Sequence, residues 1–381
     1  MKWSRRQLSL MLASLVPAGS GMPWAIAPAA GSGPGDGSGA PRARSTGAPP
    51  GGGQTHPITL TDVAGVLVGH ATRDDRPTGC TVIVTPDGAT GGVAVRGAAP
   101  GTRETDLLRS ESMVDQIHAV VLTGGSAPGL ATADGVSRRL QETGVGLRFG
   151  EAIIPLVPAA VLYDLGVGNG GSAPTAADGY AACQAATSDP VARGNIGAGA
   201  GATVGKMLGS GRMKGGLGTA GFRFDDGTVV AALIAVNSRG DVRDPHSGRL
   251  IAGALGSDGR SLANTQSTLL ESEGTSSGAA GQNTAIGVVA TNRTMSKAQC
   301  NRLASVAHDG LARAVVPAHT FYDGDTLFAL ATNRSEEVSS IDDLDRIDAA
   351  AAAAVANAVI DAVTHATAID GIPAARDIGT V

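Results

Sequence analysis

Eight short apolar runs recur along the chain, at residues 63–68, 81–84, 93–96, 119–122, 153–157, 229–236, 284–291 and 327–332. Their lengths, their β-branched content and the Gly, Pro and Asp residues around them read as buried strands. Helical patterns lie between several of them. The clearest covers 296–315, where Cys300, Leu303, Val306, Ala307, Leu311 and Val315 fall three or four apart. Ser296 suits its N-cap, and Pro317 stands just beyond its end. A last helix is predicted over 341–365. It carries an alanine run at 349–354, whose small side chains suit close helix packing, for instance at a subunit interface. No repeat of 20–50 residues is visible, which argues against solenoids and propellers. Strands and helices mixed in one continuous unit predict a layered α/β or α+β sandwich.

Composition narrows the function classes. The net charge of −5 over 381 residues gives no electrostatic reason for nucleic acid or an anionic membrane as partner. Cys80, Cys183 and Cys300 lie far apart, which excludes a disulfide framework and a zinc ribbon. The seven histidines show no paired ligand spacing, so neither a metal nor another cofactor is called for.

The N-terminus reads as an address. Arg5-Arg6 precedes a short apolar run at 8–16, and Ala25-Ile26-Ala27 and Ala27-Pro28-Ala29 offer cleavage sites. This is the layout of a twin-arginine export signal over residues 1–30, which predicts a periplasmic or secreted protein. The run is far shorter than the roughly 20 residues of a spanning helix, and no other stretch is read as a membrane span. Residues 31–55 are mostly Gly, Ser, Pro, Ala and Arg and read as a flexible linker. The folded domain is expected over 56–381.

Three motifs come close to known chemistry and fail. Residues 200–207 imitate a phosphate-binding loop, but Ala200 replaces its first glycine and Met207 the magnesium-binding hydroxyl. Gly124-Gly125-Ser126-Ala127-Pro128 and Gly170-Gly171-Ser172-Ala173-Pro174 end in proline where a nucleophile elbow needs glycine.

A better candidate stands where the polar stretch 256–282, read as an exposed loop, meets the β-prone run 284–291. The hydroxyl of Thr284 could attack the carbonyl of Asn283, leaving Thr284 with a free α-amine after hydrolysis of the ester. An N-terminal threonine whose own amine takes its proton is an activated nucleophile. An α-amine pKa of about 7.7–8.0 suits that task near neutral pH. An ordinary loop-to-strand junction has the same appearance.

Segments 58–70 (ITLTDVAGVLVGH), 119–130 (AVVLTGGSAPGL), 158–165 (PAAVLYDL), 196–207 (IGAGAGATVGKM), 214–221 (KGGLGTAG), 235–242 (AVNSRGDV), 283–292 (NTAIGVVATN) and 317–328 (PAHTFYDGDTLF) together resemble one family. It is that of the self-cleaving aminopeptidases of the DmpA type, with L-aminopeptidase/D-esterase, the β-peptidyl aminopeptidases and the nylon-oligomer hydrolases. The resemblance implies an αββα four-layer sandwich of the N-terminal-nucleophile kind. It implies self-cleavage into an α-chain ending at Asn283 and a β-chain of 284–381, with such pairs assembled as a homo-oligomer, commonly a tetramer. On the matching positions Thr284 is the nucleophile and, through its amine, the general base. Asn237 donates to the oxyanion, and Lys206 lowers the pKa of the amine and stabilises developing negative charge. Tyr163 offers a phenol at the pocket wall. Asp323 and Asp325, two apart on an extended segment, point the same way and so could both reach Thr284.

The aspartate pair resembles the nylon-oligomer branch, whereas the aminopeptidases tend to carry Ser and Glu there. The sequence therefore predicts an amide hydrolase, with a peptidase of short or unusual peptides first and an endo-type amidase of non-peptide oligoamides second. An acyltransferase resembling ornithine acetyltransferase shares the self-cleaving threonine but fits poorly with an export signal. A non-catalytic binding protein predicts an uncut chain.

Overall fold

The computed structural model describes residues 57–209, 211–271 and 283–381. The predicted export signal, the linker and the end of the stretch before Thr284 lie outside the described residues. Nine strands share one hydrogen-bonded network: β1 (Leu67–Thr72), β2 (Gly79–Val95), β3 (Thr102–Arg103), β4 (Gln116–Thr123), β5 (Ala159–Val161), β6 (Gly216–Arg223), β7 (Val229–Asn237), β8 (Thr284–Thr291) and β9 (Thr326–Ala331). Their order is β6-β7-β8-β9-β2-β4-β5-β3, with β1 paired to β2. The β8–β9 and β4–β5 pairs are parallel, and the rest are antiparallel.

Alternation along the strands turns this network into layers. In β7, Val230, Ala232, Ile234 and Val236 face helices α3 (Lys297–Ala314) and α4 (Ile341–His365). Val229, Ala231, Leu233 and Ala235 face the other way, onto Ile83, Val120, Leu122 and Ala160 of β2, β4 and β5. The far side of those strands, with Cys80, Val82, Ala119 and Val121, packs on α1 (Thr132–Glu142) and α2 (Ala176–Gln184). The result is helix, sheet, sheet, helix: the αββα sandwich. Strand β2 belongs to both sheets. Its first half pairs with β1 and β4, its second half with β9, and the register slips between Val84 and Ala89.

Several sequence expectations shift in detail. Runs 81–84 and 93–96 are one strand, because the Pro86-Asp87-Gly88 turn signal marks the irregularity inside it. The strand read at 63–68 begins later, at Leu67, after a turn of 3-10 helix at Leu60–Asp62. The run at 153–157 holds only a short strand, Ala152–Ile154, outside the main sheet. The stretch 256–282 is not simply an exposed loop: Thr265–Glu271 form a helix, and buried Thr265 hydrogen bonds both oxygens of Asp241.

Ser296 caps α3 in a capping box with Gln299. Within the alanine run of α4, Ala351 and Ala354 pack in the chain's own core with α3 and β7. At 25 residues and a hydropathy of 1.5 over its most apolar window, α4 is long and apolar enough to cross a membrane, which the sequence reading overlooked. Two-thirds of that window is buried inside the fold (67%), as in a core helix.

Candidate active site

The antiparallel register of β7 and β8 places Asn237 directly opposite Thr284. Both continue the inward-facing parity of their strands, so they meet at the end of the space between the two sheets. Thr284 is 2% exposed, Asn237 0%, Asp323 2% and Asp325 3%.

The Asn283–Thr284 junction is held from one side by the turn that leads into β9. Asn283 forms a parallel bridge with Asp323, and the Gly324 N–H donates to the Asn283 carbonyl at 2.9 Å. The Thr284 hydroxyl donates to that same carbonyl. Gly324 is needed there for space, since a Cβ would stand 2.8 Å from the Thr284 Oγ1 and 2.5 Å from the Ala99 carbonyl. One residue on, Asp325 Oδ1 accepts the Ala285 N–H at 2.8 Å. Its Oδ2 accepts from His319, from the backbone N–H at 3.1 Å, and lies 2.8 Å from Nδ1. Asp323 Oδ2 accepts the Thr320 N–H at 2.7 Å, and its buried Oδ1 has no hydrogen-bond partner among the described residues.

Asn237 is fixed from the other side. Its Oδ1 accepts the Thr203 N–H at 3.0 Å and the Lys206 ammonium at 2.8 Å, and its Nδ2 donates to the Tyr163 carbonyl at 3.0 Å. Lys206 also donates to the Asn237 main-chain oxygen at 3.0 Å. Burial pushes the Lys206 amine well below its ordinary range, with Arg212 adding repulsion and Asp323, Asp164 and Asp325 opposing both. Burial also raises the Asp323 carboxyl to about 6, helped by the Asp325 charge and opposed by its Thr320 hydrogen bonds and by Lys206.

The structure therefore gathers Thr284, Asn237, Lys206, Tyr163, Asp323 and Asp325 in one place. It departs from the sequence expectation in how they touch. Asp325 grips the Ala285 N–H and Asp323 the Thr320 N–H, so neither carboxylate is bonded to the Thr284 hydroxyl. The geometric reason is that Asn283 itself pairs with the aspartate turn and fills the approach.

Tyr163 and Thr284 line a cavity of about 300 Å³ together with Ser126, Ala127, Val161 and the 99–101 turn. Ser126, set aside as a nucleophile elbow, thus stands on the wall of this cavity, with φ of 55°. Gly324 and His319 were also missed. A glycine between two aspartates and a lone histidine carry no local signal, and only the bridge to Asn283 and the hydrogen bonds to Asp325 reveal them. A groove of about 590 Å³ along β6 and α4 is larger, but it brings no such set of groups together. No group of three His, Cys, Asp or Glu among the described residues could hold a metal ion.

Residues 59–376 match the family model of peptidase family S58. The chain belongs to this family. Among curated S58-like relatives, an uncharacterized aminopeptidase of Mycobacterium leprae (strain TN) is 41% identical over 340 residues, covering 83% of this chain and 92% of that protein. A 6-aminohexanoate-oligomer endohydrolase of Kocuria sp. (strain KY2) is 33% identical over 276 residues, 71% of this chain and 74% of that protein. In fold, the S58 chain is similar to the L-aminopeptidase D-Ala-esterase/amidase of Ochrobactrum anthropi, described as a variant of the Ntn-hydrolase fold. The TM-score is 0.63 at 24% identity, covering 85% of this chain and 91% of that one. A Burkholderia sp. β-aminopeptidase gives 0.59 at 23%, covering 84% and 91%. As an S58 member this protein is a hydrolase of peptide or amide bonds.

Proposed function

We propose that the chain cuts itself between Asn283 and Thr284, and that Thr284 then serves as the N-terminal nucleophile of a peptidase for short or unusual peptides. The observation that carries this is the Asn283 carbonyl, gripped by the Gly324 N–H at 2.9 Å and touched by the Thr284 hydroxyl. Attack by Oγ1 on that carbon moves charge onto an oxygen that already has a donor. The C–N bond breaks as the Thr284 nitrogen takes a proton, leaving an ester. Water cleaves the ester to the Asn283 carboxylate, restoring the hydroxyl and freeing the α-amine.

The same atoms then serve turnover. The amine takes the hydroxyl proton as Oγ1 attacks a substrate amide, and the leaving amine is protonated. Asn237 donates to the oxyanion, Lys206 holds the amine's pKa down, Asp323 and Asp325 orient the new N-terminus, and Tyr163 bounds the substrate. Water releases the acid. The aspartate pair and the Kocuria endohydrolase relative favour a second reading, endo-cleavage of non-peptide oligoamides. Comparing aminoacyl p-nitroanilides with linear aminohexanoate oligomers separates the two. Export by the twin-arginine route and a homotetramer of cut pairs complete the proposal.

The test is the intact mass of wild type and Thr284→Ala, with N-terminal sequencing of any fragment. Wild type is expected to give a 98-residue chain starting at Thr284, and the variant one uncut chain. A folded wild type that stays intact overturns the mechanism.

A further inference from the structure

Lys214 places its amine in the interior of the fold, 0% exposed, and has no part in the mechanism above. It lies on a two-residue ladder, Met213–Lys214 against Thr203–Val204, directly across from Thr203. Its Nζ donates to the carbonyls of Gly199 at 2.8 Å, Ala202 at 2.9 Å and Gly215 at 3.3 Å. An ammonium has three donors and no acceptor, so it matches this nest of carbonyls one for one. Burial pushes its pKa down to about 7, and the Asp164 carboxylate acts in the opposite direction.

What those carbonyls belong to gives the lysine its role. Thr203, the residue after Ala202, places its N–H on Asn237 Oδ1, and Lys206 reaches the same oxygen. Two donors on one oxygen settle which way the Asn237 amide points, and its NH₂ is turned toward Tyr163. We propose that Lys214 is a positioning residue whose ammonium clamps the 199–202 turn and thereby sets the orientation of the Asn237 amide at the acyl-transfer site. This rests on the reading of Asn237 as the oxyanion donor.

The test is a double-mutant cycle of Lys214→Met against Asn237→Ala. kcat and KM are read per mole of cut chain on whichever of the two substrate types the wild type hydrolyses, with thermal unfolding as the check on folding. Asn237→Ala is expected to lower kcat about 10²–10³-fold. Lys214→Met should lower kcat about tenfold or more with KM within about twofold, yet by less than about twofold in the Asn237→Ala background. Lys214→Gln, which keeps two N–H donors, should fall between wild type and Met. Equal losses in both backgrounds overturn the clamp while leaving the Asn237 reading intact. Wild-type kcat in Asn237→Ala overturns that reading and the clamp's role with it. A buried charge is weak evidence for stability, so an apolar replacement of similar size is expected to fold. If neither Lys214 variant accumulates as folded protein while Asn237→Ala does, Lys214 serves folding and the proposal is overturned.

Discussion

Asp323 carries a proton at pH values where a free aspartate has lost it. Its carboxyl is raised from 3.8 to about 6, so between those values the folded chain holds a proton that the unfolded chain has released. Stability is then fully present below the unfolded pKa and lost as pH rises through the folded one. In the uncut Thr284→Ala chain, Asp323 should therefore contribute a fall in unfolding free energy of roughly 1–3 kcal/mol between pH 4 and pH 6. Asp323→Asn should remove that contribution, as read by urea unfolding across the pH series; an unchanged slope rejects it. Legibility at this scale followed the chemistry of the residue type. Thr284 could be picked out because a hydroxyl at a loop-to-strand boundary is a place where a chain can cut itself, and the family resemblance raised the odds. Lys214 could not. A lysine beside glycines reads as a solvated turn, and only the three carbonyls around Nζ show otherwise.

At the scale of elements, helix contacts rest on small residues. Gly310 of α3 faces Ala352 of α4 so closely that a Cβ would lie 2.8 Å from the Ala352 carbonyl carbon and 3.0 Å from its Cα. Both are backbone atoms, so relief requires a helix to move. Gly310→Ala should destabilise by about 1–3 kcal/mol, because the overpacking cost outweighs the gain in helix propensity. Thermal unfolding of the uncut chain checks this; a raised Tm rejects it. Periodicity located α3 well because it keeps a 3.6-residue pattern between clear end signals. It split β2 at Pro86-Asp87-Gly88 because a turn signal does not tell a hairpin from a slip in register within one strand. It also placed the alanine run at a possible interface, since small side chains suit either an internal crossing or an external one.

For the whole molecule, strand alternation in the sequence carries the existence of buried faces, but not how they stack. Both faces of β7 are apolar, and this alone says that it is covered twice. That the second cover is another sheet depends on β2 passing from one sheet to the other, a long-range pairing that no window of residues shows. The placing of β8 has one more consequence. It lies between β7 and β9, while β9 lies against β2. The segment from Thr284 onward is thus woven into the middle of the sheet rather than appended to its edge. Cutting its first peptide bond leaves every one of these neighbours in place, so the fragments have no reason to part under native conditions. What changes is the molecularity of unfolding: each protomer that would give one coil now gives two. Mass action then enters the stability of each protomer, and the melting temperature of the cut protein should climb more steeply with its concentration than that of Thr284→Ala.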